Sequence, residues 1–374
     1  MKAQLVPGWR MTGTDVTVEF FGTTMGRGWD VAGEREHRER NARWRQVASD
    51  IAARGGLDLV FMVAFDDVLE DESLIHFKKL GAKLVLYQCD MLMQWYKVIR
   101  TIKYMDLMCY GSSDHLRYFQ RRGVPLFDFG CAAVPPSADE LNAPPIRYDG
   151  IVFTGSPWPY RQRILHRIAA AGIPLRVHGH NWDRKGSWPK TPGQWRKTAH
   201  DIRRYLMPRL HEEGVQLAGQ FIRRLLPNAA PAVQPEMFPP GIIQGDFSDH
   251  QLVPMVRGAA INLGFTQMPL DVTKEFPRMI RVRDFEIPIA GGFYLAQNCP
   301  ELGKYYEVGR EVAVWDTAKD VVERCRYYLD RPEERSRIAA AGQKRALANH
   351  TWRHRFSGVA AALQMRLPGQ GEEG

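Results

Sequence analysis

The chain has 374 residues, 44% of them hydrophobic and 25% charged, with a net charge of +9. This is ordinary globular composition at a length that suits two domains, so disorder is excluded as a default, and no run reaches the roughly 18 apolar residues of a membrane span. Five scattered cysteines (Cys89, Cys109, Cys131, Cys299, Cys325) form no CxxC pair, which argues against a disulfide framework or a zinc site. The opening MKAQLVPGWRMTG lacks an apolar core, and the expected location is the cytoplasm.

In chain order, Val16–Phe21 (VTVEFF) reads as a strand that opens into the glycine-bearing loop GTTMGRGW. Asn41 is placed to cap a helix through Ala53, stopped by Gly55 and Gly56. Strands are predicted at Leu59–Val63, Lys83–Tyr87, Leu107–Tyr110 and Leu126–Phe129, with helices at Asp71–Leu80 and Ser113–Arg122. Continuous apolar strands separated by helices imply a parallel sheet covered on both faces. Val134–Gly150 is dense in proline and small polar residues and reads as a linker. The α/β rhythm restarts with strand Ile151–Thr154, helix Arg161–Ala171 and strand Leu175–His178. A basic excursion then runs to NAAPAVQPEMFPPG, followed by strand Ile242–Gln244, helix Asp249–Gly258 and strand Ala260–Leu263. Strands Gly292–Leu295 and Glu311–Val314 and a helical stretch Asp320–Ala348 complete the pattern. The expectation is two Rossmann-like, doubly wound α/β domains facing across a cleft. Their bounds are 1–134, a linker 135–150, and 151–348 with a basic helical insertion at 184–240. Ligands in such sheets sit beyond the carboxyl ends of the strands.

The densest chemical signal is RVRDFEIPIAGGFYLAQNCPELGKYYEVGREVAVWD, Arg281–Asp316. Glu286 opens an apolar helix, where a carboxylate can accept two hydrogen bonds from a ribose diol. Arg281 and Arg283 precede it and can neutralise a diphosphate. Gly291 and Gly292 end the helix and turn the backbone into the next strand. The plain alternative is a capped helix with a surface charge cluster. Asn262, ending strand AINL, reads equally as a donor contact or a structural amide. His178-Gly179-His180 lacks a third ligand nearby, so no metal is expected, and GTTMGRGW has neither GxGxxG nor GKS/T spacing.

The spaced pattern Arg283-x-Phe285-Glu286-Ile-Pro-x-x-Gly291-Gly292, Pro300-Glu301, Tyr305-Tyr306, Gly309-x-Glu311 and His350-Thr351-Trp352-x-x-Arg355 resembles the C-terminal signature of CgeB-like, "glycosyl transferases group 1" proteins. The resemblance extends more weakly to IVFTGSPWPYRQR and LVLYQCDM. It implies the GT-B architecture, with donor bound mainly by the second domain, acceptor mainly by the first, and a C-terminal helix (349–374) crossing back to the first. It places Glu286 on the donor ribose, although the first glutamate of the related E-x7-E motif falls at Arg278 here. It brings Gly155 and Ser156 to the diphosphate, where backbone N–H groups meet phosphate oxygens. Arg161 or Arg163 then supplies charge to the leaving nucleoside diphosphate, with Lys274 a further candidate. The implied activity is transfer of a sugar from a nucleotide-sugar, UDP-sugar favoured, without a cofactor and with retention favoured. Inversion would require a base on the first domain, for which Asp90 and His37 are the candidates; a helix cap and a solvated loop residue are their plainer readings.

Between Arg184 and Leu226 ten Lys/Arg face three acids, an excess of seven positive charges, interleaved with Trp188 and Trp195. Arg203, Arg204, Trp188 and Trp195 are therefore candidate acceptor contacts for a polyanion such as DNA carrying a hydroxylated base. The alternatives are an amphipathic excursion packing Ile202, Tyr205, Leu206 and Leu210 inward, or an anionic membrane or small acceptor. Rival functions are a non-catalytic nucleotide- or DNA-binding protein on the same fold, or transfer to a small-molecule or cell-surface acceptor. Oligomeric state is not encoded in any motif.

Overall fold

The computed structural model describes residues 2–19, 31–89, 91–113, 115–182, 205–212, 214, 238–267 and 278–368. The chain divides into two units, each containing one parallel sheet. One comprises Trp9–Gly130, Trp188–Leu225 and Phe356–Gly374, the other Met1–Gly8, Cys131–Ser187 and Leu226–Arg355. Among the described residues no helix is long and apolar enough to cross a membrane.

The chain opens with α1 (Lys2–Arg10) and α2 (Val31–Gly55). Residues 14–19 form no strand, and the rest of the expected VTVEFF strand and its loop lie outside the described residues. Helix α2 starts ten residues before Asn41, so Asn41 is an interior residue and His37 is helical rather than part of a loop. The reason is visible in its buried stripe of Asn41, Trp44 and Ala48, spaced as one helix face. Asn41 is tied down rather than capping: its amide donates to the Val68 carbonyl at 3.2 Å and accepts from Glu70 N and Ser73 Oγ.

Strand β1 (Leu59–Met62), α3 (Asp71–Lys79), β2 (Lys83–Gln88), α4 (Met91–Gln94), β3 (Leu107–Tyr110), α5 (Leu116–Gln120) and β4 (Leu126–Asp128) follow. The four strands lie side by side in chain order, all parallel. Leu84, Val85, Leu86 and Tyr87 are all buried, as the central strand of a sheet covered on both faces requires. Phe356 packs in this unit, its ring 4.1 Å from Trp9 and 5.5 Å from Phe129. Residues 205–212 form α8 in the numbering used here, and they pack in the same unit. Tyr205 is buried beside Tyr96 and reaches Asp66, Arg209 lies over Tyr96, and Glu212 pairs with Arg121. The sequence-based expectation assigns this stretch to the second domain, whereas its described contacts, to Asp66, Tyr96 and Arg121, are with residues of the first unit. Leu210 is exposed rather than packed inward, and Ile202, with most of the rest of the basic excursion, is outside the described residues.

In the second unit the linker contains a short α6 (Ala138–Asn142), started by a reciprocal Ser137–Glu140 capping box. Then come β5 (Tyr148–Thr154), α7 (Pro159–Ala170), β6 (Leu175–His178), β7 (Ile243–Gly245), α9 (Asp249–Gly258), β8 (Ala259–Leu263), α10 (Arg283–Ile289), β9 (Tyr294–Gln297) and β10 (Ala313–Trp315). Pro332 splits the last helical stretch into α11 (Asp320–Leu329) and α12 (Pro332–Asn349), and α13 (Trp352–Ala362) follows. The sheet order is β10-β9-β8-β5-β6-β7, all parallel. One face packs Ile151, Phe153, Val177, Leu263, Leu295 and Trp315; the other buries Phe285, Ile287, Tyr294, Ala296 and Tyr306. Leu295 and its neighbours Tyr294 and Ala296 thus fall on opposite faces, as strand alternation demands.

Candidate functional site

The second sheet has one place where the chain reverses its direction of travel. From β5 it moves outward through β6 and β7, then returns to place β8 on the other side of β5. Connections diverge at the carboxyl ends of β5 and β8, which leaves a crevice there in sheets of this type. The residues at those two ends are Gly155–Trp158 and Gly264–Gln267.

Two glycines let the β5 and β6 ends approach closely. A Cβ on Gly179 would lie 2.3 Å from the Gly155 carbonyl oxygen, and one on Gly155 would lie 2.8 Å from the Phe153 ring. That carbonyl accepts from Trp182 Nε1 at 2.7 Å, and Gly155 N donates to His178 O. Pro159 then begins α7 at the position where its missing N–H matters least.

Arg161, in the first turn of α7, is the group the site is built around. It is 8% exposed, and its guanidinium lies 4.4 Å from the Trp158 ring centroid and 5.6 Å from that of Phe153. Nη1 reaches the Ser156 carbonyl at a long 3.4 Å, and Nε is buried without a hydrogen-bond partner. Among the described residues no acid pairs with it. Burial, then the charge of Arg281, pushes it down to about 9, so it stays cationic at neutral pH. Arg281 approaches the same indole at 5.3 Å and donates from Nη2 to the Gln267 carbonyl. Two guanidinium groups converging on one indole concentrate positive charge there, which suits a ligand such as a phosphate group, for which arginine's planar fork is fitted.

The other sequence-derived candidates divide into four groups. Arg163 shares α7 with Arg161, Ser156 lies in the turn just before that helix, and Arg283 and Glu286 are on α10, which begins two residues after Arg281. Arg163 is half-buried on α7, with its charge felt by Tyr160. Glu286 Oε2 accepts from Arg283 one turn earlier; a carboxylate has further lone pairs to offer a diol. Asn262, Gly291 and Gly292 serve the scaffold. Asn262 donates to both the Val256 and Phe293 carbonyls. Gly291, at φ +82, and Gly292 close α10 in a Schellman motif, their N–H groups bonding Pro288 O and Ile287 O. A Cβ on Gly292 would sit 2.4 Å from Val256 Cγ1. His37 belongs to the other unit, with Nε2 buried and unpartnered. Asp90, Lys274, Trp188, Trp195, Arg203 and Arg204 lie outside the described residues.

Sequence reasoning passed over several residues here. Asp284 is fully buried; Oδ2 accepts from Arg281 N at 2.6 Å and Oδ1 from the Tyr294 hydroxyl at 2.5 Å. Trp158 is the shared cation platform, and an aromatic between two prolines at a strand end was its available signal. Gln297 Nε2 donates to Tyr160 Oη and Gln267 Oε1, and Gln297 Oε1 accepts from Gln267 N. That fixes the orientation of the Gln267 amide, whose buried Nε2 has no partner. His180 is exposed and pairs with Asp246, and no cluster of three metal-ligating side chains occurs among the described residues. The His350–Arg355 part of the motif is a clasp: His350 meets Tyr305 O, Arg355 meets Cys131 O, and Thr351 bridges Ala133.

A family model described as glycosyl transferase-like matches residues 233–361, about a third of the chain, which includes Arg281 and Glu286. No curated protein matches the sequence. Similar solved structures include sucrose-phosphate synthase from Thermosynechococcus elongatus, with TM-score 0.46, 15% identity, and coverage of 87% of this chain and 76% of that one. A glycosyltransferase from Rickettsia africae has TM-score 0.48 and 9% identity, with 93% and 84% covered. Anabaena Alr3699/HepE in complex with UDP and glucose has TM-score 0.49 and 13% identity, with 90% and 83% covered. Over residues 233–361, then, the chain is similar to glycosyl transferase-like proteins.

Proposed function

We propose that the chain is a glycosyltransferase that takes a sugar from a nucleoside-diphosphate sugar, with Arg161 and Arg281 holding the diphosphate. The observation that carries this reading is a nearly enclosed guanidinium with no acid partner among the described residues, sharing Trp158 with a second one at the sheet's switch point. Breaking the glycosyl–phosphate bond builds negative charge on the departing diphosphate, and preorganised cations are the largest single aid to that step. Glu286, held on the first turn of α10, is the group for the ribose diol, with Arg283 steadying it. The similarity of residues 233–361 to glycosyl transferase-like proteins supports the same assignment, and the Arg283-x-Phe285-Glu286 pattern favours the CgeB-like branch.

On this reading the departing phosphate accepts the acceptor's proton in a front-face, retaining reaction, so no protein base is needed. UDP-sugars are the first donors to try. Calorimetry with UDP-, GDP- and TDP-sugars, followed by nucleotide release with candidate acceptors, tests it. Arg161→Ala is expected to weaken binding of the preferred donor at least tenfold, the usual effect of losing a charged hydrogen-bonding group. Glu286→Ala, which strands polar partners, is expected to do the same. Binding of no nucleotide-sugar by the folded protein would refute the proposal. Binding without transfer to any acceptor would favour a nucleotide-binding protein instead.

A further inference from the structure

The donor reading uses Arg281 but leaves the carboxylate beneath it without a task. Asp284 is fully enclosed, and each oxygen has its own donor: the Arg281 backbone N–H on Oδ2, the Tyr294 hydroxyl on Oδ1. The second donor is itself fixed. A Cβ on Gly264, the first residue beyond β8, would lie 2.0 Å from Tyr294 Oη, so only glycine lets the hydroxyl occupy that place. Tyr306 and Cys299 are the other titratable groups that feel the Asp284 charge, and Arg283 acts on Tyr294 from the same helix as Asp284.

Burial holds the Asp284 carboxyl up to about 6, so a neutral side chain would sit there at lower cost to stability. A carboxylate, unlike an amide or a protonated carboxyl, accepts a donor on each of its two oxygens with no donor of its own, and one of these donors belongs to the residue whose guanidinium lies over Trp158. We propose that Asp284 is a positioning residue: braced by Tyr294, it fixes Arg281 so that Arg281 and Arg161 bear on one anion, and this needs its ionised form. The identity of that anion rests on the donor reading; the positioning itself does not.

Two measurements separate them. The first follows the Arg281 Nε resonance by 15N NMR without ligand, assigned with Arg281→Lys, between pH 7.5 and 5. The second is calorimetry with UDP-glucose, whose diphosphate diester does not titrate in that range. In the wild type the resonance is expected to move with a midpoint near 6, and UDP-glucose affinity to fall about tenfold as Asp284 protonates. Asp284→Asn is expected to show no such midpoint and to bind about tenfold more weakly at pH 7.5. Tyr294→Phe keeps the carboxylate but removes a donor to its ionised form, so the midpoint should rise. That variant serves if Asp284→Asn does not fold. A resonance indifferent to pH in the wild type, or a midpoint unmoved in Tyr294→Phe, overturns the proposal. Failure of UDP-glucose to bind at any pH, with the midpoint intact and shifted by Tyr294→Phe, removes the donor reading and upholds the positioning.

Discussion

Replacing His350 by glutamine should change the response to acid far more than the stability at neutral pH. His350 is 6% exposed among the rings of Phe285, Tyr305 and Tyr306. Arg355 Nη2 donates to its Nδ1 at 3.3 Å; an arginine can only donate, so the ring proton is on Nε2 and meets the Tyr305 carbonyl at 2.7 Å. Burial, aided by the charges of Arg355 and Arg345, pushes the imidazole down to about 4. The folded state therefore keeps it neutral while the unfolded chain protonates it, and the stability it lends above its ordinary value is lost as pH falls towards 4. Between pH 7.5 and 4.5 that loss is about 2.5 kcal/mol. Asp284 has the opposite sign. Its carboxyl is raised to about 6, so acidification over the same range relieves about 2 kcal/mol of its burial penalty. In the wild type the two nearly cancel. His350→Gln keeps an N–H for the carbonyl and an oxygen for Arg355, and leaves Asp284 unopposed. Urea unfolding at several pH values should show the variant gaining about 2.5 kcal/mol relative to wild type between pH 7.5 and 4.5. Asp284→Asn should lose about 2 kcal/mol over that interval. Any constant effect of either substitution cancels in the pH difference. Curves for His350→Gln and wild type that run parallel across this range would refute the reasoning.

The strands were legible because buried parallel strands are short, continuous apolar runs bounded by glycine, as in Leu84–Tyr87 and Ile151–Phe153. The helix boundaries were less so. Asn41 looked like a cap because its side chain suits caps, yet it sits inside α2, where a buried amide ties helix to loop. Which unit α8 joins was hidden because Tyr205 anchors it through a contact with Asp66, 139 residues away in sequence. At the site, Arg161 and Arg281 could be named from charge and spacing. Their meeting over Trp158 could not, since it depends on β5 and β8 being neighbours despite the chain between them. Asp284 was passed over for a related reason: beside Arg283 and Glu286 it read as surface charge, and only the fold encloses it. Gly291 and Gly292 were legible as a helix stop, but not the close packing of Gln343, Val256 and Asn262 on the sides where a Cβ would project.

Gly292→Ala should place a methyl 2.4 Å from Val256 Cγ1 and 2.7 Å from Asn262 Nδ2. An overpacking cost of about 1–3 kcal/mol is expected, seen as a lower unfolding midpoint; an unchanged midpoint would show that β8 and α9 separate freely at that point. The remaining test concerns the basic stretch, where Arg203 and Arg204 immediately precede α8. Tyr205 and Arg209 anchor α8 itself on Tyr96. If they meet nucleic acid, each phosphate neutralised releases condensed counterions, and binding to DNA must weaken steeply with salt. Arg203→Glu/Arg204→Glu should then reduce the slope of log affinity against log salt by about two. Affinity for nucleotide-sugar should hold, because Arg161 and Arg281 are built into the other unit. If wild type and double variant bind DNA alike, or neither responds to salt, the seven excess charges of this stretch are a solvated surface and the acceptor is not a polyanion.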